Sequence, residues 1–181
     1  MSRRSEEMLK WLKVALDYEN EGLAFYTKAA TGATNPLSRR LFRTLAGQEI
    51  EHAKKVEEIY SLIERGRRLP TPEKLKKVGG HVELEKDIKD FFKTVDRKSL
   101  RDDIGNVEAM RVALNIEKKS FDLYSELAKD AGNESEREFL LALKKEEQQH
   151  MDALDNVYYY LTDPKMWFSS DESRVWNWMG T

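Results

Sequence analysis

The chain contains no cysteine among its 181 residues. Disulfides, thiolate metal sites, iron–sulfur clusters and zinc ribbons are therefore excluded, because each of them needs cysteine sulfur. Any metal ion that this chain binds must take nitrogen and oxygen ligands.

Glycine and proline are also scarce, with nine and four residues, whereas 35% of the residues are charged. This composition favours long amphipathic helices with solvated outer faces over a sandwich of short strands. The length suits one well-buried core and is short for two ordinary domains. We therefore predict a single all-α domain over residues 1–181.

The chain lacks an excess of charge of either sign, since its formal net charge at pH 7 is −2. No strong field is present to attract nucleic acid or an anionic membrane. The first residues are charged, and no apolar run is long enough for a signal-peptide core or a membrane span. We expect no nucleic-acid partner, no membrane association and a cytoplasmic location.

What the sequence has is apolar residues at helical spacing in four stretches, at about 5–30, 37–65, 106–129 and 134–161. In the first stretch, seven residues recur at intervals of three, four and seven and predict one buried face. Asn35 suits an N-cap and Pro36 a first helical position, which marks the start of the second helix. The seven residues of the predicted face are Met8, Trp11, Leu12, Ala15, Leu16, Leu23 and Tyr26.

The turns between the helices differ greatly in length. Short turns join the helices into hairpins at about 5–65 and 106–161, and a connector at about 66–105 joins the two hairpins. Short turns flanking one long crossover are typical of a ferritin-like four-helix bundle. We predict an extra short helix at 82–95 within the connector, an exposed His81, and a tail at 162–181 whose aromatic residues pack against the domain or a second copy. These aromatic residues are Trp167, Phe168, Trp176 and Trp178.

The two hairpins are copies of one unit. A shift of 98 residues aligns residues 14–60 with 112–158 without a gap, and 13 of the 47 positions are identical. A duplicated hairpin that packs against its copy has an approximate two-fold axis, so matching residues meet near the centre of the bundle.

Three of the repeated residue pairs are ionisable and lie on the inward faces. Each hairpin has one Glu on its first helix and a Glu-x-x-His motif that begins 30 residues later. Four buried carboxylates without counter-charge would cost many kcal/mol or stay protonated, whereas divalent cations remove that cost. One Glu from each of two helices and Glu-x-x-His from each of two others is the ligand set of di-metal carboxylate bundles. We therefore predict a di-metal site, with iron or manganese favoured by mixed O/N ligation and zinc an alternative, at Glu19, Glu49, His52, Glu117, Glu147 and His150.

Two tyrosines follow the single glutamates by two helical turns. The phenols of Tyr26 and Tyr124 suit a hydrogen bond to a ligand carboxylate or an electron relay. Core packing alone also explains both positions. We interpret the charged run Lys144-Lys145-Glu146 as a solvated flank.

Residues 15–26 and 41–53, with their echoes at 117–124 and 147–150, resemble the rubrerythrin-like branch of the ferritin-like superfamily, in particular its stand-alone members without a rubredoxin domain. The resemblance covers nearly the whole chain. It implies a non-haem di-iron centre, a cytoplasmic homodimer, reduction of hydrogen peroxide in oxidative-stress defence, and electrons from a separate, unidentified donor protein. On this basis Glu49 and Glu147 would bridge the ions, Glu19 and Glu117 would be terminal ligands, and each histidine would bind one ion.

The chain departs from that family at one position. Rubrerythrins usually have a further ligand carboxylate three residues after the single Glu of the third helix, where this chain has Ser120. The matching position of the first hairpin is Gly22, so neither hairpin supplies a seventh carboxylate. Two alternatives to peroxide reduction therefore stay open, namely a ferroxidase or iron-buffering protein that uses oxygen, and a non-enzymatic metal-binding scaffold.

Overall fold

The computed structural model describes residues 3–75, 104–164 and 166–167. These residues form five helices and no strand. The predicted all-α, ferritin-like four-helix bundle is confirmed, and its four long helices begin and end within two residues of the predicted bounds. The helices are α1 (Arg3–Gly32), α2 (Pro36–Glu64), the single turn α3 (Pro72–Leu75), α4 (Ile104–Lys129) and α5 (Glu134–Thr162).

Helix packing follows the duplicated hairpins. The helices α1 and α2 lie against each other along their length, as do α4 and α5, and the two hairpins meet through α1 with α4 and α2 with α5. Asparagine caps begin the second helix of each hairpin. Asn35 accepts hydrogen bonds from the backbone N–H groups of Leu37 and Ser38, and Asn133 accepts one from Glu136. These caps satisfy N–H groups that the first turn of a helix cannot bond internally.

The core consists of two apolar clusters. The first includes Tyr26, Phe42 and Met110, and the second includes Leu12 and Tyr124. Along every long helix, the predicted ligand residues lie in sequence between members of the two clusters. The polar centre is therefore flanked by apolar packing on both sides, which limits the access of water to it.

Two tryptophans that the sequence predicted to pack against other residues differ in their burial. Trp11, predicted on the buried face of the first helix, is 49% exposed, so that assignment is wrong. It lies about 100° around the helix from Leu12 and therefore at the edge of the buried stripe. Trp167 is 2% exposed, packs edge-on against Tyr160 with ring centroids 5.2 Å apart, and donates a hydrogen bond from its indole to Asn156.

Several predictions fall outside the described residues. These are the short helix at 82–95, the exposure of His81, and the packing of Phe168, Trp176 and Trp178. Within the described ranges, no helix combines the length and the apolar character that crossing a membrane requires.

Candidate metal centre

All six predicted ligand residues meet in the middle of the bundle. Each is at most 3% exposed, and each of the four long helices contributes at least one of them. Helices α1 and α4 provide one Glu each, and α2 and α5 provide one Glu-x-x-His each. The six are Glu19, Glu49, His52, Glu117, Glu147 and His150.

The side-chain atoms of these residues form two overlapping groups. In each group, every residue offers one oxygen or nitrogen atom that lies within 4.8 Å of those of the other members. The first group contains Glu49, Glu117, Glu147 and His150, and the second contains Glu19, Glu49 and His52. Glu49 belongs to both groups. Oε1 of Glu147 lies 3.3 Å from Nδ1 of His52, and Oε2 of Glu147 lies 3.3 Å from Nδ1 of His150. Glu49 and Glu147 are thus the two carboxylates at the centre of the cluster.

Unsatisfied polar atoms show that the cluster fits cations. Within the described part of the chain, Glu19 Oε2, Glu49 Oε1, His52 Nδ1 and both carboxylate oxygens of Glu147 are buried without a hydrogen-bond partner. His52 Nδ1 lies 3.2 Å from Glu19 Oε2 but without the direction of a hydrogen bond. Buried polar atoms are normally bonded, and orphaned atoms of this kind are costly. Converging oxygen and imidazole nitrogen atoms are the donors that iron, manganese and zinc accept.

The two tyrosines connect the hairpins. Tyr26 on α1 donates a hydrogen bond to Glu117 on α4, and Tyr124 on α4 donates one to Glu19 on α1. Burial, followed by the nearby carboxylate charges, raises the pKa of both phenols well above the ordinary value, so they stay protonated donors. Both rings also belong to the apolar core. Each tyrosine therefore packs the core and also orients one carboxylate of the opposite hairpin.

The residue before each central glutamate reaches the histidine of the other hairpin, which the sequence did not indicate. Glu146 accepts from Nε2 of His52 at 2.9 Å, and Gln48 accepts from Nε2 of His150 at 2.6 Å. Glu146 is 6% exposed, so its assignment to a solvated flank is wrong. It lies next to Glu147 on the helix, where its side chain can still reach the centre. Positions 48 and 146 are equivalent in the 98-residue repeat, but they differ in residue type and escape a search for identities.

Without a metal ion, the four glutamates of the cluster differ in pKa and therefore in how readily they bind a proton. Burial would raise the pKa of Glu19 and of Glu117, but the charges of His52 and His150 together with side-chain hydrogen bonds outweigh it. The pKa of Glu19 is therefore lowered, and that of Glu117 falls to about 2. Burial and neighbouring carboxylates raise the pKa of Glu49 and bring that of Glu147 to about 7.

The two histidines show the opposite balance. Burial would lower their pKa, but the charges of Glu19 on His52 and of Glu117 on His150, together with hydrogen bonds to carboxylates, outweigh it. The pKa of His52 is therefore raised, and that of His150 rises to about 9. In the metal-free protein, protons bound to these groups offset the negative charge of the carboxylates, as bound cations would. Metal binding must therefore displace protons from the cluster.

Neither hairpin has a carboxylate three residues after its single glutamate. Gly22 and Ser120 are both buried. A Cβ atom at Gly22 would lie 3.2 Å from Cδ and Oε2 of Glu49, tighter than ordinary van der Waals contact. The glycine thus leaves the space that the Glu49 carboxylate occupies.

Comparison with known proteins identifies a family for the chain. A family model described as Rubrerythrin matches residues 10–158. No curated protein and no solved structure matches the chain.

Proposed function

The chain belongs to the rubrerythrin family, and on this premise we propose that it is a non-haem di-iron oxidoreductase that reduces hydrogen peroxide to water. The observation that carries the proposal is the set of buried, unbonded donor atoms at the centre of the bundle. Six side chains from four helices supply them, and apolar clusters flank them on both sides.

The position of each side chain suggests its role toward the ions. Glu49 and Glu147 are placed between the two histidines and would bridge both ions. Glu19 and Glu117 would each bind one ion as terminal ligands, held by the phenols of the opposite hairpin. His52 and His150 would each bind one ion through Nδ1, because their Nε2 atoms already donate to Glu146 and Gln48. Iron suits this O/N set, and manganese or zinc can take the same ligands.

When bound, two ferrous ions supply the two electrons that convert one hydrogen peroxide and two protons into two water molecules. The residues of this chain hold the ligands in position and control the surroundings of the ions. The phenols of Tyr26 and Tyr124 keep the terminal carboxylates oriented, and the apolar clusters restrict water. A separate donor protein would return the electrons. We further propose that the protein acts in the cytoplasm as a homodimer.

Stopped-flow oxidation of the reduced protein tests this function. The full chain is loaded anaerobically with ferrous iron and mixed with equimolar hydrogen peroxide or oxygen, and oxidation is followed by absorbance. A much faster reaction with peroxide supports the proposal. Glu49→Ala combined with Glu147→Ala should abolish the reaction, and Glu51→Ala is the matched control, because Glu51 is exposed on the outer face of the same helix.

The other outcomes distinguish the alternatives. Faster oxidation by oxygen with release of the iron would replace peroxide reduction by ferroxidase or iron-buffering activity. Bound metal that reacts with neither oxidant would make the protein a metal-binding scaffold.

A further inference from the structure

The two histidines of the cluster differ in the residue that accepts their outward hydrogen bond. His52 donates from Nε2 to a carboxylate oxygen of Glu146, and His150 donates from Nε2 to the amide oxygen of Gln48. Both acceptors come from the opposite hairpin and are largely buried, at 6% and 9% exposure. In both histidines Nδ1 lies 3.3 Å from a carboxylate oxygen of the central Glu147.

These acceptors break the symmetry of an otherwise duplicated site. Gln48 and Glu146 occupy equivalent positions of the 98-residue repeat, whereas the six predicted ligands are identical between the hairpins. Gly22 and Ser120, which are also equivalent and unequal, carry no charge. The acceptors of the two Nε2 hydrogen bonds therefore differ in charge, a carboxylate for His52 and an amide for His150.

We propose that Gln48 and Glu146 are positioning residues that make the two metal positions unequal, so that a divalent ion binds more tightly beside His52 than beside His150. The inference rests on the metal site of the proposed function but not on its reaction with peroxide. A hydrogen bond to a carboxylate is roughly twice as strong as one to a neutral acceptor. It makes the imidazole a stronger electron donor to its metal, and loss of such partners lowers metal affinity by roughly 10–100-fold.

The histidine content of the chain makes the order of filling measurable. The sequence has three histidines, of which two belong to the cluster. Long-range 1H–15N spectra of the histidine side chains report which imidazole binds a metal ion. We would add half an equivalent of Zn²⁺ to the metal-free full chain and compare the metal-bound signals of His52 and His150. The expected result is at least about tenfold more zinc at His52.

Three variants test whether the acceptors cause this order. Glu146→Gln gives both histidines an amide and should distribute zinc about equally. The double variant Gln48→Glu with Glu146→Gln exchanges the acceptors and should transfer the first zinc to His150. Glu51→Gln removes an exposed carboxylate beside His52 and should leave the order unchanged. A purely structural role for the acceptors would alter thermal stability without reversing the order.

Failure of this inference and failure of the metal site are distinguishable. Equal zinc at both histidines in the natural chain, or an order that the exchange of acceptors does not reverse, would overturn the inference alone. Zinc at neither histidine would overturn the metal site itself, and the inference with it.

Discussion

The imidazole rings of His52 and His150 lie nearly parallel, with centroids 5.3 Å apart and planes inclined by 14°. The rings come from different hairpins and from equivalent positions of the repeat, so the approximate two-fold axis passes between them. Glu147 contacts Nδ1 of both histidines. The site therefore belongs to both hairpins together, and neither hairpin contains a complete set of ligands.

Substitution of Gly22 should weaken metal binding without destabilising the helix. In Gly22→Ala, the new methyl group lies 3.2 Å from the Glu49 carboxylate and must displace it by a few tenths of an ångström. Alanine favours an α-helix over glycine by about 1 kcal/mol. We expect zinc affinity, measured by calorimetry, to fall about tenfold or more while the melting temperature of the metal-free protein does not fall.

The matched control for this variant is Gly47→Ala. Gly47 is also within a helix, but a Cβ atom there meets nothing within 4 Å. It should gain the same helix stability and keep the zinc affinity. Equal zinc affinity in the two variants would show that the space beside Glu49 is unimportant.

Removal of either phenol should weaken the site. Tyr26→Phe and Tyr124→Phe each delete the hydrogen bond to a terminal carboxylate of the opposite hairpin while they retain the ring. Loss of such a contact lowers metal affinity by roughly 10–100-fold. Competition with a zinc chelator measures the change, and Tyr159→Phe at a 38% exposed position is the control. Unchanged zinc affinity in both variants would show that the two tyrosines serve only to pack the core.

The stability of the metal-free protein should decrease from weakly acidic to alkaline pH. The folded pKa of Glu147 is about 7 against an ordinary 4.5, and that of His150 is about 9 against 6.5. The folded state therefore binds more protons than the unfolded state between about pH 4.5 and 9, so the free energy of unfolding falls as pH rises through this range. As pH falls below about 4.5, the free energy of unfolding also decreases, because Glu117 has a folded pKa of about 2 and becomes protonated more readily in the unfolded state.

Thermal melting of the metal-free protein across this pH range measures the effect. Glu147→Gln should flatten the part of the curve between about pH 4.5 and 7, because it removes one titrating group. Zinc should restore stability at alkaline pH, since the ligands must lose their protons to bind it. Stability that rises between pH 5 and 9 without metal would contradict the assigned pKa shifts.

Helical periodicity predicted the fold because it is a local property that long amphipathic helices display directly. The repeat then predicted that the ligand residues of both hairpins meet near the centre of the bundle, since duplicated hairpins pack around a two-fold axis. The start of α2 was also predictable, because Asn35 and Pro36 have specific preferences at helix starts.

The contacts of Gln48 and Glu146 could not be predicted in the same way. Each side chain lies next to the inward stripe, and its reach across the bundle depends on the spacing and rotation of the packed helices. Trp11 was misplaced for a related reason, because the edge of a buried stripe depends on what packs beside it.

Iron binding at equilibrium tests the central claim most directly. The metal-free full chain would be dialysed anaerobically against ferrous iron and the bound metal counted, alongside Glu49→Ala combined with Glu147→Ala. The di-metal site predicts two ions per chain for the natural sequence and fewer than one for the double variant. Fewer than one ion per natural chain, with no change in the double variant, would contradict it.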